Sequence, residues 1–452
     1  MIKSITFKNV SPMPDGTIDF GKRLNVITGD NGLGKSFLLD IIWFALTNRW
    51  PIEVNGRMTS GNMAHPMDVT KEASIEFVVG KMNGDPAKNP IKAKYERQNE
   101  FWRTNRSTAH VLNLVLYAHY DGSFSVWDPY RNYWTRNPPS ELFERQPAFV
   151  FTPSEVWDGT NMVNKMTGKE VPICNGLIRD LVSWQDGSRK GDPHDPFSIL
   201  EKSLELLSPP DFSQKLTSAE HKRISTSDSR EYPFIRMPYG EIPVVLASAG
   251  IRRVLSLAYM LTWTLTEHWK SSIVLGMAPA TQMTFLFDEV DAHLHPKWQR
   301  QIMDGIMNVL QSFSNMAQGY LPKQKSLLGP SAINTQIISV THSPLVMASL
   351  EGLFDRDYDK WLDLDLSMKD GSVQVTERDF IKMGDAEGWL TSEAFDLKST
   401  YSVQAEKAMN EYNELMANPP IDEKKRKAKI KELEKLLPDT DPFWYAVDFP
   451  EK

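Results

Sequence analysis

The sequence predicts an α/β fold with an open sheet of buried strands, and three observations carry that expectation. Residues 24–28 form a short apolar run of the kind a central strand shows, and the runs at 284–287 and 336–340 end directly in polar residues, as buried strands do where their carboxyl ends face a ligand. The first run passes through a glycine-rich turn into 36–46 (SFLLDIIWFAL), apolar on nearly every side like a helix buried in a large domain. A long helical pattern at 248–269 precedes the second run. At 452 residues, the chain has room for about two to four domains.

Composition narrows the class. A hydrophobic fraction of 41% with 13 Trp fills a sizeable core, which excludes a disordered chain. The net charge of −7 excludes a uniformly basic nucleic-acid binder and leaves room for a local basic groove. Cys174, the one cysteine, excludes a disulfide framework and a Cys-based zinc site, and suits a reducing compartment. The apolar stretch 254–266 falls short of the roughly 20 residues a bilayer needs, and residues 1–10 lack a signal peptide's apolar core. A cytoplasmic protein with no membrane partner is expected.

In chain order, 2–7 alternate as a strand, and 74–79, 91–95 and 111–119 are strand-like. Asp121-Gly122 signals a hairpin before 123–127. Residues 152–245 are less regular, with helices at 178–184 and 197–207. Strands at 361–366 and 372–377 flank Asp370-Gly371 as a second hairpin, and charged helices follow at 403–416 and 421–437.

The chemistry concentrates in four motifs. Gly29-Asp30-Asn31-Gly32-Leu33-Gly34-Lys35-Ser36, followed by Phe37, satisfies G-x-x-x-x-G-K-[ST] between a strand and a helix. Its glycines let successive N–H groups point at phosphates, and the helix start adds partial positive charge. Lys35 is expected at the β- and γ-phosphates and Ser36 on Mg²⁺. Asp288 and Glu289 end an apolar run, where Asp288 suits the Mg²⁺ water shell and Glu289 a general base; an ordinary strand exit carries such acids too. Ser248-Ala249-Gly250 opens the long helix as an anion site or a plain cap. His342, in Thr341-His342-Ser343-Pro344, suits either a γ-phosphate contact or a structural role.

That order of motifs resembles the ABC-class ATPases, and more narrowly the soluble branch that includes the RecF, SMC and OLD ATPases. Asp291-Ala292-His293-Leu294-His295-Pro296, after the acids, is similar to the corresponding OLD-like loop. His293 and His295 also suit a metal pair, but with no third ligand nearby the loop reading is preferred. The resemblance covers about 1–50 and 240–350. It implies a P-loop ABC-type ATPase head with an antiparallel β subdomain, with ATP and Mg²⁺ as ligands. It makes Ser248, Ala249 and Gly250 the signature that meets the γ-phosphate bound to the other subunit of a homodimer or higher oligomer. Ile251 departs from the Gln or Glu usual after the signature, and no Q-loop glutamine is placed; Gln146 is the nearest candidate.

The expected organisation is therefore two halves of the head at 1–150 and 246–350, a mostly helical insertion at 151–245, and an α+β interaction region at 351–452. No sustained heptads predict a long coiled coil. No Toprim nuclease set is found, and Asp363 and Asp365 read as alternating solvent-facing acids. The layout resembles ATPases of bacterial anti-phage systems of Septu and PARIS type, which implies a sensor or regulator of a separately encoded effector, a nuclease. The alternative is a RecF-like DNA-repair ATPase, and DNA is a further candidate partner. Trp361, Trp389, Phe395, Phe443, Trp444 and Tyr445 suit either a docking surface or an ordinary core.

Overall fold

Five parallel strands, apolar along most of their length, form the centre of the main sheet. In the computed structural model all residues are described except 81–89, 106–112, 135–144, 165–166, 190, 193, 210–214, 281, 319–333, 368, 370, 419 and 449–452. The chain divides into two units, Met1–Ala386 and Glu387–Lys452. The main sheet of the first unit contains β1 (Leu24–Gly29), β2 (Asn113–Ala118), β3 (Phe124–Trp127), β4 (Phe149–Phe151), β5 (Gln282–Phe287), β6 (Asn334–Val340), β7 (Lys360–Leu366) and β8 (Val373–Arg378). Their order is β4-β3-β2-β5-β6-β1-β7-β8.

Strands β2, β5, β6, β1 and β7 run parallel, and antiparallel partners flank them on both sides. Every residue of β2 and β5 is buried, as parallel strands covered on both faces require. Register sets Phe287 beside Ser339 and Val340 beside Ile27, so β5, β6 and β1 end at nearly the same level.

The helix α1 (Lys35–Thr47) follows β1, and only Ser36 and Phe37 of it escape burial. It contacts β1, β2 and β6 as well as the strand Ile2–Lys8. That strand belongs to a second, antiparallel sheet with Gly16–Asp19, Ser74–Val79, Ile91–Glu96 and Phe101–Thr104. Packing on both sides explains the absence of a polar face on α1. The buried Gln336 links the two sheets: its amide donates to the carbonyls of Ile2 (2.9 Å) and Gly21 (2.7 Å) and accepts from the Ile2 N–H (2.9 Å).

Two expectations about organisation need revision. The hairpin at 361–377 is not part of a separate C-terminal region: β7 hydrogen-bonds directly to β1, and the division falls after Ala386 rather than near 350. Asp370 of its turn lies outside the described residues, as do residues 111–112 before β2. Asp363 is accordingly buried, not solvent-facing. It accepts from the Thr28 hydroxyl at 2.9 Å and pairs with Arg378, while Asp365 stays exposed. Thr28 in turn accepts from the Trp361 indole at 2.7 Å, which makes Trp361 a core residue. A Cβ on Gly29 (φ 128°) would overlap the Leu364 carbonyl oxygen, so only glycine fits there.

The span 151–245 holds as much strand as helix. Besides the helices Pro153–Asp158, Leu177–Asp186 and Pro196–Leu207, it carries a hairpin (Thr160–Val163, Glu170–Cys174) and a three-stranded sheet. Its strands are Thr217–Arg223, Glu231–Met237 and Gly240–Pro243, and the first of them, TSAEHKR, is too polar for its alternation to stand out. The long helix α2 (Ala249–Val274) follows. Next come α3 (Pro296–Gln318), after β5, and α4 (Pro344–Leu350), after β6.

In the second unit, Val403–Ala417 and Glu423–Leu436 pair through Ala405, Ala408, Tyr412 and Leu433, with Leu437 and Val447 completing the cluster. Phe443 and Trp444 pack against it, Trp389 is fully buried, and Tyr445 is exposed. Among the described residues, no helix is long and apolar enough to cross a membrane.

Replacing Gln336 with Leu removes all three side-chain hydrogen bonds, the two that bridge the sheets and the one to Gly21, and strands buried backbone groups, each worth about 1–3 kcal/mol. The expected result is a lower urea midpoint with an unchanged m-value. A midpoint within error of the parental protein would dismiss the bridge.

Candidate nucleotide site

The ends of β1, β5 and β6 converge on a cleft of about 350 Å³. Its walls include Asn31, Gly32, Gly34, Lys35, Ser36, Phe37, Asp288, Glu289 and His342, which the sequence separates widely. Gly32 and Gly34 take positive φ values of 80° and 88°, giving the curl that the loop needs. Leu33 turns inward and joins the core. Lys35 folds back on its own loop, donating to the carbonyls of Gly29 (2.8 Å) and Asp30 (2.6 Å). Burial lowers the Lys35 pKa, opposed by Asp30, Asp288, Glu289 and Asp363.

Asp288 is the electrostatic centre. It is 1% exposed, and neither carboxylate oxygen has a hydrogen bond of ordinary geometry. Burial raises its pKa to about 7; the nearby Ser36 hydroxyl lowers it, Glu289 raises it, and Arg253 and Lys35 lower it. Its backbone is fixed instead, because its N–H donates to the Ala118 carbonyl (2.9 Å) and its carbonyl accepts from Arg253 Nη2 (3.2 Å). A buried carboxylate with open lone pairs beside a serine hydroxyl is the donor set a hard divalent cation takes, so Ser36 and Asp288 fit Mg²⁺.

Glu289 sits at φ 49°, a strained conformation for a non-glycine residue, and thereby leaves the strand direction while still lining the cleft. Its neighbour Asp291 accepts from the Thr341 hydroxyl at 2.6 Å, joining the two loops that carry Glu289 and His342. Burial, then Lys35, lowers the His342 pKa, favouring a neutral imidazole. His293 and His295 belong to the turn that leads into α3, with His293 at φ 63°. Among the described residues no group of three or more His, Cys, Asp or Glu is arranged to hold a metal ion.

Ser248, Ala249 and Gly250 open α2 and do not line this cleft. A Cβ on Gly250 would stand 2.7 Å from the His293 carbonyl oxygen, so glycine lets the helix start press on the loop after Glu289. Gln146 lies outside the cleft as well, its amide donating to Met162 Sδ.

The cleft also contains residues the motifs did not identify: Asp40, Ser60, Gly61, Asn62, Tyr117 and Tyr120. Behind them His119, its ring 3.7 Å from that of Tyr117, is held neutral by burial, its pKa lowered to about 3. The apolar run ending at Tyr117 gives the same signal as that before Asp288. The hairpin motif after it concealed that β2 is also the parallel neighbour of β5.

Residues 24–348 match the family model described as "AAA domain, putative AbiEii toxin, Type IV TA system". The Septu protein PtuA of Bacillus mycoides (strain KBAB4) is 27% identical over 191 residues, 42% of this chain and 22% of that protein. The chain thus spans about a fifth of that relative's length. Among solved structures, the SMC head domain from Thermotoga maritima is 14% identical with a TM-score of 0.35, covering 84% of this chain and 99% of that one. The Pyrococcus furiosus Smc head domain with an extended coiled coil, bound to the C-terminal domain of ScpA, is 13% identical with a TM-score of 0.39, covering 84% and 96%.

Asp288 gives a pH signature. An unfolded aspartate titrates near 3.8, whereas this one holds its proton to about 7. Its contribution to stability is therefore complete below pH 3.8 and lost as pH rises through about 7. Without metal, Asp288→Asn should be the more stable protein at pH 8, by on the order of 4 kcal/mol, and the gain should shrink towards pH 5. Parallel stability–pH curves would exclude the raised pKa.

Proposed function

Since the chain belongs to the family described as "AAA domain, putative AbiEii toxin, Type IV TA system", matched over residues 24–348, we propose that it is an ABC-type ATPase head that hydrolyses ATP to ADP and phosphate across a two-chain site. The observation that carries this reading is the convergence of Lys35, Ser36, Asp288, Glu289 and His342 on one cleft. The N–H groups from Gly29 to Phe37 bind the phosphates, and Lys35 exchanges its two loop carbonyls for the β- and γ-phosphates. Ser36 and Asp288 hold Mg²⁺, which supplies charge neutralisation for the phosphate oxygens. Glu289, turned out of its strand, accepts the proton of the attacking water. His342, neutral, hydrogen-bonds the γ-phosphate.

Ser248, Ala249 and Gly250 lie outside their own cleft, which supports their serving the cleft of a second chain. The protein then closes around ATP as a dimer or higher oligomer and reports that state to a separate effector, a nuclease, in anti-phage defence. The similarity to the Septu protein PtuA supports that setting. The organisation proposed is one ATPase head interrupted by the 151–245 insertion, with residues 387–452 docking the effector.

ATP turnover tests the chemistry. Lys35→Ala should weaken nucleotide binding, and Glu289→Gln should lower kcat roughly 100-fold or more while trapping ATP and the oligomer. Parental turnover by Glu289→Gln would remove Glu289 as the base.

Complementation tests the shared site. Lys35→Ala and Ser248→Arg should each be inactive alone, yet regain activity when mixed, because a mixed dimer keeps one intact cleft. Inactive mixtures that still form mixed dimers on a sizing column would exclude it.

A further inference from the structure

Asp40 stands one helical turn after Ser36, on a helix otherwise filled with Leu, Ile, Trp and Phe. Its carboxyl is buried and, among the described residues, hydrogen-bonds neutral donors: Oδ1 accepts from the Tyr117 hydroxyl (3.0 Å) and Oδ2 from the Asn62 N–H (3.1 Å). Burying an acid with no cation beside it is unfavourable, and an apolar side chain would fill the same space better. Burial raises its pKa well above the usual value, with Asp288 and Asp121 adding to the rise. The two hydrogen bonds join the phosphate-loop helix to β2 and to the turn at 59–62.

That turn is secured elsewhere too. The Thr59 hydroxyl donates to Asp121 (2.6 Å), and the Ser60 and Ser123 hydroxyls lie 3.1 Å apart. The Gly61 carbonyl accepts from the Ile52 N–H at 3.2 Å, and a Cβ on Gly61 would overlap Pro51. Asp40 supplies the hydrogen bond to this turn that comes from α1. Ser60, Gly61 and Asn62 wall the same cleft as Asp288, and Asn62 is exposed there. Its amide donates and accepts at once, which suits a phosphate oxygen on one side and a water on the other.

We propose that Asp40 is a positioning residue for ATP hydrolysis, holding the 59–62 turn so that Asn62 presents its amide to the reacting end of the nucleotide. The inference rests on the ATPase reading above and adds a fourth wall to the site. Phosphate binding by the loop is independent of it, so loss of Asp40 acts on turnover rather than affinity.

Steady-state ATPase and nucleotide-binding measurements on the full chain test this. Asp40→Ala should lower kcat roughly tenfold to a hundredfold with the ATP Kd within about twofold. Asn62→Ala should do the same, and the double variant should be no slower than either single, since both remove one function. Asp40→Asn should recover most activity, because its carbonyl still accepts from the Asn62 N–H while its NH₂ donates to Tyr117. Multiplicative losses, an Asp40→Asn variant as slow as Asp40→Ala, or parental kcat in Asn62→Ala would each overturn the proposal. Should Asp40→Ala fail to fold, Asn62→Ala and Asp40→Asn decide alone by the same criteria. A parental protein without ATPase activity would overturn the ATPase reading and this inference together; an active one with unaffected Asn62→Ala overturns only this inference.

Discussion

Asp288 keeps a carboxylate almost wholly out of water, against a desolvation penalty of several kcal/mol for an unpaired ion, and much of the surrounding structure serves to hold it there. The parallel neighbours of β5 cover that strand up to Phe287, while Ala118 and Arg253 grip the backbone of the next residue, Asp288, and leave both of its carboxylate oxygens open to the cleft. Lys35 and Arg253 supply positive charge nearby without closing an ion pair. The result is a site that is electrostatically unfinished, and strand order makes it so: β5 and β1 lie on either side of β6, bringing an acid and a lysine to the same end of the sheet.

The same geometry relates local strain to chemistry. Glu289 and His293 both take left-handed backbone conformations within one short loop, and both are stabilised by neighbours rather than by their own preferences. Gly250 presses against that loop from α2, and Thr341 ties it to the strand end bearing His342. Two other segments, the start of α2 and the residue that follows β6, therefore hold the loop that carries Glu289.

Much of this arrangement was legible in the sequence because it is local. A strand that stops in DE or TH, or a glycine loop before an apolar helix, states its own role, and β1, β5, β6 and α1 fall where those patterns put them. What was not legible depended on distant partners. The acids of 363–365 looked solvent-facing because alternation alone cannot reveal that β7 pairs with β1 and buries Asp363 against Thr28. The three-stranded sheet within 151–245 gives no clear pattern because its first strand, TSAEHKR, carries hardly any apolar alternation. Asp40 and Asn62 stand outside any motif, and only the folded chain brings their turn and helix to one cleft.

Gly29 has a double obligation whose consequence is experimental. The first glycine of the phosphate loop is also where β7 passes so close that no side chain can be accommodated. Its identity is therefore dictated by sheet packing before any nucleotide is considered. A variant at this position would damage the join between β1 and the hairpin and abolish activity for that reason alone, so its inactivity would say nothing about phosphate recognition. Glycine there is an architectural requirement, and a chain that had lost all catalytic use for its loop would still be obliged to keep it.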